Sequence, residues 1–399
     1  MKFRADLDGR EWIGEKEVMK IDILPAHNGD CILVEYSPNR YILIDGGYVD
    51  TYWNHLLPKL NIIAEAGGVV DVVVVTHIDS DHISGIVKMF EEDELPVRVG
   101  EIWYNGYRHI QSAAIISEEK ETVIHRSICK ESHTDKTKPV SAKQGCTLSR
   151  LITISEIPWN KPVDGGRIMA PLSFSLGKAT IHILSPNKGN IDDLETMWKK
   201  RLIKDGLLKK PHSDEYWDDA YEYSLSMDKP GFHFHRKTVS KSFDLQKIKS
   251  EPYEPDTSAT NGSSIAFVLE IDSKRVLFLG DAFAETIVSS LKQLYGKDMA
   301  PYRFDAVKLS HHGSYNNNSP ELFDLIETDK WIVSTNGDKY NHPDLPTLAH
   351  IISHKGANKI YFNYILPICE ELRDNDYHKD YTFEIIAPKE SGNGIQIEL

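Results

Sequence analysis

The stretch VVVVTHIDSDHISG, residues 72–85, constrains this chain more than any other. Four consecutive valines read as a buried strand. Directly after them His77, Asp79, Asp81 and His82 fall within six positions, where the strand ends and a helix opens near His82. A strand end presents successive side chains into the crevice at the edge of a sheet, and a tight turn converges them on one point. Imidazole and carboxylate groups in that number suit a divalent cation better than a nucleophile paired with a base.

Two further strand ends repeat the form. LFLGDA delivers Asp281, and VKLSHHGS delivers His311 and His312, both after apolar runs and both beside glycine. Taken singly, a His-rich turn is a solvated loop and a "GD" after a strand is a turn or helix cap; LIDGG, with Asp45, is equally a turn. Three strand ends of one form make a metal site the better reading.

The rest of the chain supplies a scaffold for such ends. VMKIDIL, CILVEY and YILIDGG read as an antiparallel meander, followed by a helix over about residues 51–65 and, after the valine strand, by RVGEIWYN. Residues 106–260 read as irregular insertions around a core strand at 179–187, long enough to act as functional lids or loops. Regularity returns at GSSIAFVLEIDSKRVLFLGDAF, a hairpin around Asp272 and Ser273, and continues through a helix at 283–294, DAVKLSHHG, WIVSTNG, a helix at 346–354 and KIYFNY. The expectation is one catalytic domain spanning 1–399.

Charge bears on substrate and compartment. With 46 Lys plus Arg against 60 Asp plus Glu, the formal charge is −14. That balance disfavours a dedicated nucleic-acid binder, while leaving room for a local basic groove. Cys31, Cys129, Cys146 and Cys369 show no paired spacing, which fits a reducing compartment. The N-terminus has no apolar core of a leader and no run approaches a membrane span. A soluble, cytoplasmic protein is expected.

THIDSDHISG resembles the HxHxDH signature of the metallo-β-lactamase superfamily, with Asp79 in place of the second histidine. The order LIDGG, THIDSDHISG, LFLGDAF, LSHHGS and NHPDLPTL is similar to the hydrolase domain of ComEC-type competence (DNA-uptake) proteins, and ATNGSSIAFVLE resembles the same subgroup. The resemblance covers about residues 18–105 and 179–365. It implies an α/β fold, a four-layer αββα sandwich of metallo-β-lactamase type with a large insertion. It further implies two divalent ions, Zn2+ or Mn2+, with His77 and Asp79 on one, Asp81 and His82 on the other, and Asp281 bridging. His311 matches the last family histidine, which leaves His312 behind the ligands or facing substrate, and Asp45 would hold a ligand imidazole. The family's third-motif histidine has no clear match; His182 and the turn 261–264 are the places that approach it. A more oxygen-rich first site shifts preference from zinc toward manganese without deciding it.

The chemistry implied is hydrolysis by a metal-activated water, with Asp81 or Asp281 accepting its proton. His342, in NHPDLP, is expected as general acid or phosphate-oxygen donor, or else as a turn residue before a helix. Ser314 offers a hydroxyl or backbone N–H to an anionic substrate, or else starts a helix. A phosphodiesterase or nuclease acting on nucleic acid or nucleotides comes first. The basic stretches 199–210 and 236–249 would line a polyanion path, or form solvated faces. Trp198, Tyr216, Trp217, Phe232 and Phe234 would stack bases, or pack the insertions, and His233 and His235 form one face of a short strand. Three rivals stand beside this reading: a small-molecule ester, lactone or thioester hydrolase, a non-catalytic metal-binding interaction protein, and an enzyme regulated by a protein partner through the 106–260 insertions.

Overall fold

The computed structural model describes residues 18–110, 148–204, 244–373, 378, 380–390 and 392–399. A first sheet contains β1 (Lys20–Ile23), β2 (Ile32–Ser37), β3 (Arg40–Ile44), β4 (Val69–Val74) and β5 (Arg98–Trp103). The second contains β6 (Leu172–Leu176), β7 (Ala179–Ser185), β8 (Ala266–Ile271), β9 (Lys274–Phe278), β11 (Ala306–Lys308), β13 (Lys330–Val333), β14 (Asn358–Phe362) and β15 (Phe383–Ile386). Short strands β10 (Tyr302–Arg303) and β12 (Ile326–Glu327) pair with each other, and β16 (Ile395–Glu398) returns to the first sheet. The strand orders are β16-β1-β2-β3-β4-β5 and β15-β14-β13-β11-β9-β8-β7-β6.

Each sheet begins as hairpins and ends in parallel strands. The run β1-β2-β3 is antiparallel and β3-β4-β5 parallel. Likewise β6 through β9 are antiparallel, and β9-β11-β13-β14-β15 parallel. Between the sheets, Ile32, Ile42, Val72 and Val74 pack with Ile181, Phe267, Val276 and Phe278. On the far side of the first sheet, Val70, Val73 and Val75 meet helix residues such as Leu60, Ile86 and Met89. The second sheet does the same with Val268, Leu277 and Val307 beneath Ile287, Leu291 and Leu348. The valine run is thus continuous because alternate members enter two different apolar layers, one between the sheets and one under helices. This is the expected αββα fold.

Three details depart from the sequence reading. The segment expected as one helix over 51–65 is a short turn Val49–Thr51, a π-helical turn Tyr52–Leu56 and an α-helix Leu57–Glu65. Pro58 lacks the N–H that would bond back four residues, so the helix ahead of it loses its regular ladder. Within 106–260, the helices Leu148–Ser155 and Lys188–Lys204 contribute Leu151, Ile152, Ile191, Leu194 and Trp198 to the layer under the first sheet. Trp198 is fully buried there and is scaffold, not a base-stacking platform. Finally, the last residues add an edge strand to each sheet. Tyr216, Trp217, Phe232 to His235 and the basic residues 205–210 and 236–243 lie outside the described residues. Among the described residues no helix is long and apolar enough to cross a membrane.

Close backbone packing carries the fold into the site. A Cβ on Gly85 would lie 2.0 Å from the Gly46 carbonyl oxygen, and one on Gly29 would lie 1.8 Å from that of Asp81. Gly46 N–H donates to His82 O at 2.8 Å, and Gly85 N–H to Gly47 O at 2.8 Å. The helix Ser80–Glu91 is therefore docked against the loops after β1 and β3. Gly85→Ala should cost about 1–3 kcal/mol, the usual penalty for overpacking. Denaturant unfolding checks this, and an unchanged midpoint would mean the loops yield freely.

Candidate metal centre

The helix Ser80–Glu91 starts at Asp79, whose side chain makes no capping hydrogen bond; the Asp79 carbonyl alone receives His82 N–H and Ile83 N–H. The carboxylate, released from capping, reaches within 3.7 Å of His77 Nε2. From the opposite sheet, the turns after β9 and β11 bring Asp281 and the pair His311–His312. Both histidines take left-handed backbone angles, φ 44° and 57°. Consecutive non-glycine residues in that region are costly and persist only where their surroundings hold them. Here His311 N–H donates to Gly280 O at 2.9 Å, and Ser314 N–H closes the turn on His311 O at 2.8 Å.

Four imidazoles converge on one carboxylate oxygen. Asp281 Oδ2 lies 3.7 Å from His77 Nε2, 3.5 Å from His82 Nε2, 3.8 Å from His311 Nε2 and 3.8 Å from His312 Nε2. Every Nδ1 has an oxygen partner: Thr76 Oγ1 at 3.0 Å, Asp45 at 2.7 Å, Asn317 Oδ1 at 2.9 Å and the Ser334 carbonyl at 2.9 Å, in the same order. Those bonds place the ring proton on Nδ1 and turn each Nε2 lone pair inward, the arrangement of metal-binding histidines. Asp45 anchors two of them. It accepts His82 Nδ1–H directly, and through Thr76, whose N–H and hydroxyl both donate to it, it also supports His77.

The inward atoms have no hydrogen-bond partners. Nε2 of His77, His82 and His312 and Oδ1 of Asp281 are all buried without one. Their spacing is longer than a hydrogen bond. It is close to the roughly 3.4 Å that separates two donors each about 2.1 Å from one tetrahedral ion. His77, His82 and Asp281 form one group of mutually close donor atoms and Asp81, His82 and His312 another. Ring centroids run 4.2 Å from His77 to His82, 5.3 Å to His312 and 5.7 Å on to His311. The donors therefore fit divalent cations on the evidence of buried, unpaired atoms aimed at one point.

Charge agrees with this arrangement. Burial pushes Asp281 up, but His82, His311 and His312 outweigh it and hold the carboxyl well below its ordinary range. Burial lowers the imidazoles of His82 and His312. For His312 it prevails over Asp281 and Asp30, whereas for His82 it is outweighed by Asp281 and Asp45. A bound cation takes the place of protons held by such groups.

Several residues stand differently from expectation. His312, expected behind the ligands or facing substrate, points Nε2 into the cluster beside Asp81, 4.0 Å away, while His311 is the more exposed of the pair. The backbone N–H of Ser314 is already bonded to His311 O, so it is not free for substrate. His182 is engaged with Ser173 at 2.7 Å and Glu270 at 3.5 Å and does not replace the missing histidine. The turn 261–264 supports the cluster instead: Asn261 Nδ2 lies 3.3 Å from His311 Nδ1, and Ser264 Oγ accepts Asp281 N–H at 3.2 Å. His342 lies at the margin, its ring 5.4 Å from that of His311 and its Nδ1 3.1 Å from Asp344 Oδ1.

Sequence reasoning missed Asn28, Asp30 and Lys308. Asn28 Nδ2 donates to the Asp81 carboxylate. Lys308 and Asp30, each about 1% exposed, form an ion pair beside His312, and Lys308 also donates to Gly280 O at 3.4 Å. The apolar run VKL hid the lysine, and GDC after a turn gave no reason to single out Asp30.

Comparison with known proteins bears on the first half of this centre. No curated protein matches the sequence. Similar solved structures include a mutant of CmlA beta-hydroxylase, at 11% identity over 96% of this chain and 54% of that one, TM-score 0.36; the chain thus spans about half its length. Another is the metallo-beta-lactamase fold protein YhfI from Bacillus subtilis, at 10% identity over 96% and 100% of the two chains, TM-score 0.34. A protein of unknown function from Enterococcus faecalis aligns at 11% identity over 93% and 77%, TM-score 0.25. Residues 24–123 match the sequence model of the Metallo-beta-lactamase superfamily, a range that holds Asp45 and His77 to His82 and ends before Asp281. The match takes in the valine strand, its donor-rich turn and the loops that brace it, and leaves the second sheet with Asp281, His311 and His312 outside.

Proposed function

We propose that this chain is a metal-dependent phosphodiesterase, and that its two sheets act as one catalytic unit because each supplies part of the ligand set. The observation that carries the reading is the convergence of four imidazole Nε2 atoms on Asp281 Oδ2, with three of them buried and unpaired. His77 and Asp79 would hold one ion and Asp81, His82 and His312 the other; Asp281 faces both groups, and His311 is the fourth imidazole, on the open side. With His311 included the donors are nitrogen-rich enough to suit zinc as well as manganese. The likeness of the motif order to ComEC-type hydrolase domains supports a phosphodiester as substrate.

When bound, the ions supply a water of lowered pKa and offset charge building at phosphorus. In the reaction, Asp81 or Asp281 accepts a proton from the attacking water as its oxygen bonds to phosphorus, one P–O ester bond breaks, and the departing alkoxide takes up a proton. His342, steadied by Asp344, is the residue at hand to donate it; Asp45 and Thr76 keep His77 and His82 oriented throughout.

The test compares bis(p-nitrophenyl) phosphate with p-nitrophenyl acetate on zinc- or manganese-loaded protein. The diester should be cleaved in a metal-dependent way; His342→Ala should retain its ions and lose about 10²–10⁴ in kcat on a diester with an alkyl alcohol leaving group, and far less on the nitrophenyl diester, whose phenolate departs without a proton. Preference for the acetate would move the protein to the ester hydrolases. His312→Ala should lose one of two ions; a variant that keeps both would remove His312 from the ligand set.

A further inference from the structure

We infer that the substrate is a nucleotide-sized diester, not a long nucleic-acid strand, and that its base and sugar sit in a cavity flanking Asp81. The inference rests on the phosphodiesterase reading above and narrows it. A cavity of about 660 Å³ lies between the loop after β1, the turn at Tyr48–Trp53 and the loop after β13. That volume falls within the range of small-molecule pockets.

The cavity adjoins the metal cluster through Asn28. Its Nδ2 donates to the Asp81 carboxylate, and its Oδ1 accepts the Tyr48 hydroxyl at 3.1 Å, so one side chain lines the cavity and touches a ligand. Lys339 lines the same wall, its ammonium 4.9 Å above the Tyr340 ring. Among the described residues no carboxylate stands within ion-pair distance of it. Asp81 is the carboxylate that acts on it most strongly, and an ammonium so placed, with no close ion pair, suits a phosphate oxygen held at the cluster. Trp53, 43% exposed, supplies an aromatic surface on the cavity, and bases stack on such surfaces without regard to sequence.

The remaining lining argues against a polymer. Asp50, 2.6 Å from His27 Nε2, and Asp338, which accepts Asn336 Nδ2–H at 2.8 Å, both face the cavity. Carboxylates there receive sugar hydroxyls or base amino groups but repel a second and third phosphate. A groove for a strand needs cations spaced along its path. Among the described residues this one has a single lysine against two aspartates, in a chain of charge −14.

The experiment uses metal-loaded full chain with thymidine 5′-(p-nitrophenyl phosphate), methyl p-nitrophenyl phosphate and a DNA single strand of about 30 nucleotides. Wild type should prefer the thymidine diester over both others. Trp53→Ala, an exposed position, should cut the thymidine-to-methyl ratio of kcat/KM about tenfold, as expected for a lost stacking platform, with ion content unchanged. Lys339→Met should raise KM for both small diesters. An unchanged ratio in Trp53→Ala, or a strand cleaved with higher kcat/KM than the thymidine diester, overturns the inference while leaving the phosphodiesterase reading in place. No cleavage of any diester overturns both.

Discussion

Asp281→Ala should release both ions and lower activity by on the order of 10³-fold or more, the loss expected when the groups holding a metal-activated water are removed. Asp281 is 2% exposed, and its Oδ2 is the one atom within 3.5–3.8 Å of all four imidazoles. Among the described residues Asp79 lies on the His77 side, Asp81 on the His312 side, and Asp30 and Asp45 are engaged with Lys308 and with His82 and Thr76, so none takes its place. The variant also leaves His82, His311 and His312 without the charge that now offsets them, so the cluster should loosen even before metal is considered. Asp281→Asn preserves shape and separates the two effects. It should fold as wild type does, yet bind ions weakly, since a neutral amide is a poor partner for a dication. Elemental analysis and diester hydrolysis read the result. Full activity with two ions retained in either variant would take Asp281 out of the centre.

Lys308→Met should destabilise the protein by about 3–5 kcal/mol, the range for removing one partner of a buried ion pair. Burial would raise the Asp30 carboxyl, but Lys308 first and His312 second hold it far below the ordinary carboxylate range. Without the ammonium, that charge is left buried beside a ligand histidine. Lys308 also ties the loop after β1, through Asp30, to two ligand-bearing segments: Gly280 before Asp281, and its own strand leading to His312. Metal affinity should therefore fall along with stability. The double variant Asp30→Asn/Lys308→Met removes both charges and should be markedly less destabilised than the single one. Denaturant unfolding of the three proteins decides the matter; equal losses in the single and double variants would show that the pair is not coupled.

The strands and the gathering of most candidate donors at strand ends were legible in the sequence because both follow from local pattern. VVVV announces a strand covered on both faces, and His77 to His82, Asp281 and the two histidines after β11 stand at strand ends where apolar periodicity stops. The antiparallel start and the hairpin at Asp272–Ser273 followed from the spacing of turn residues. What escaped depends on contacts across the two sheets. The stretch 199–210 reads as a solvated face or a polyanion path, yet the helix Lys188–Lys204 that runs into it sends Ile191, Leu194 and Trp198 into the core. Lys308 sits in an apolar run and looks like an edge residue until Asp30, 278 positions away, is placed against it. The roles of His311 and His312 turn on two left-handed residues in succession, which no periodicity encodes.

The measurement that tests the central claim most directly is the divalent metal content of the full chain, purified without chelator and then dialysed against zinc or manganese. The arrangement around Asp281 predicts two ions per chain, with a melting temperature that falls when a chelator removes them. A chain that takes up neither metal, and melts at one temperature in either condition, would contradict it.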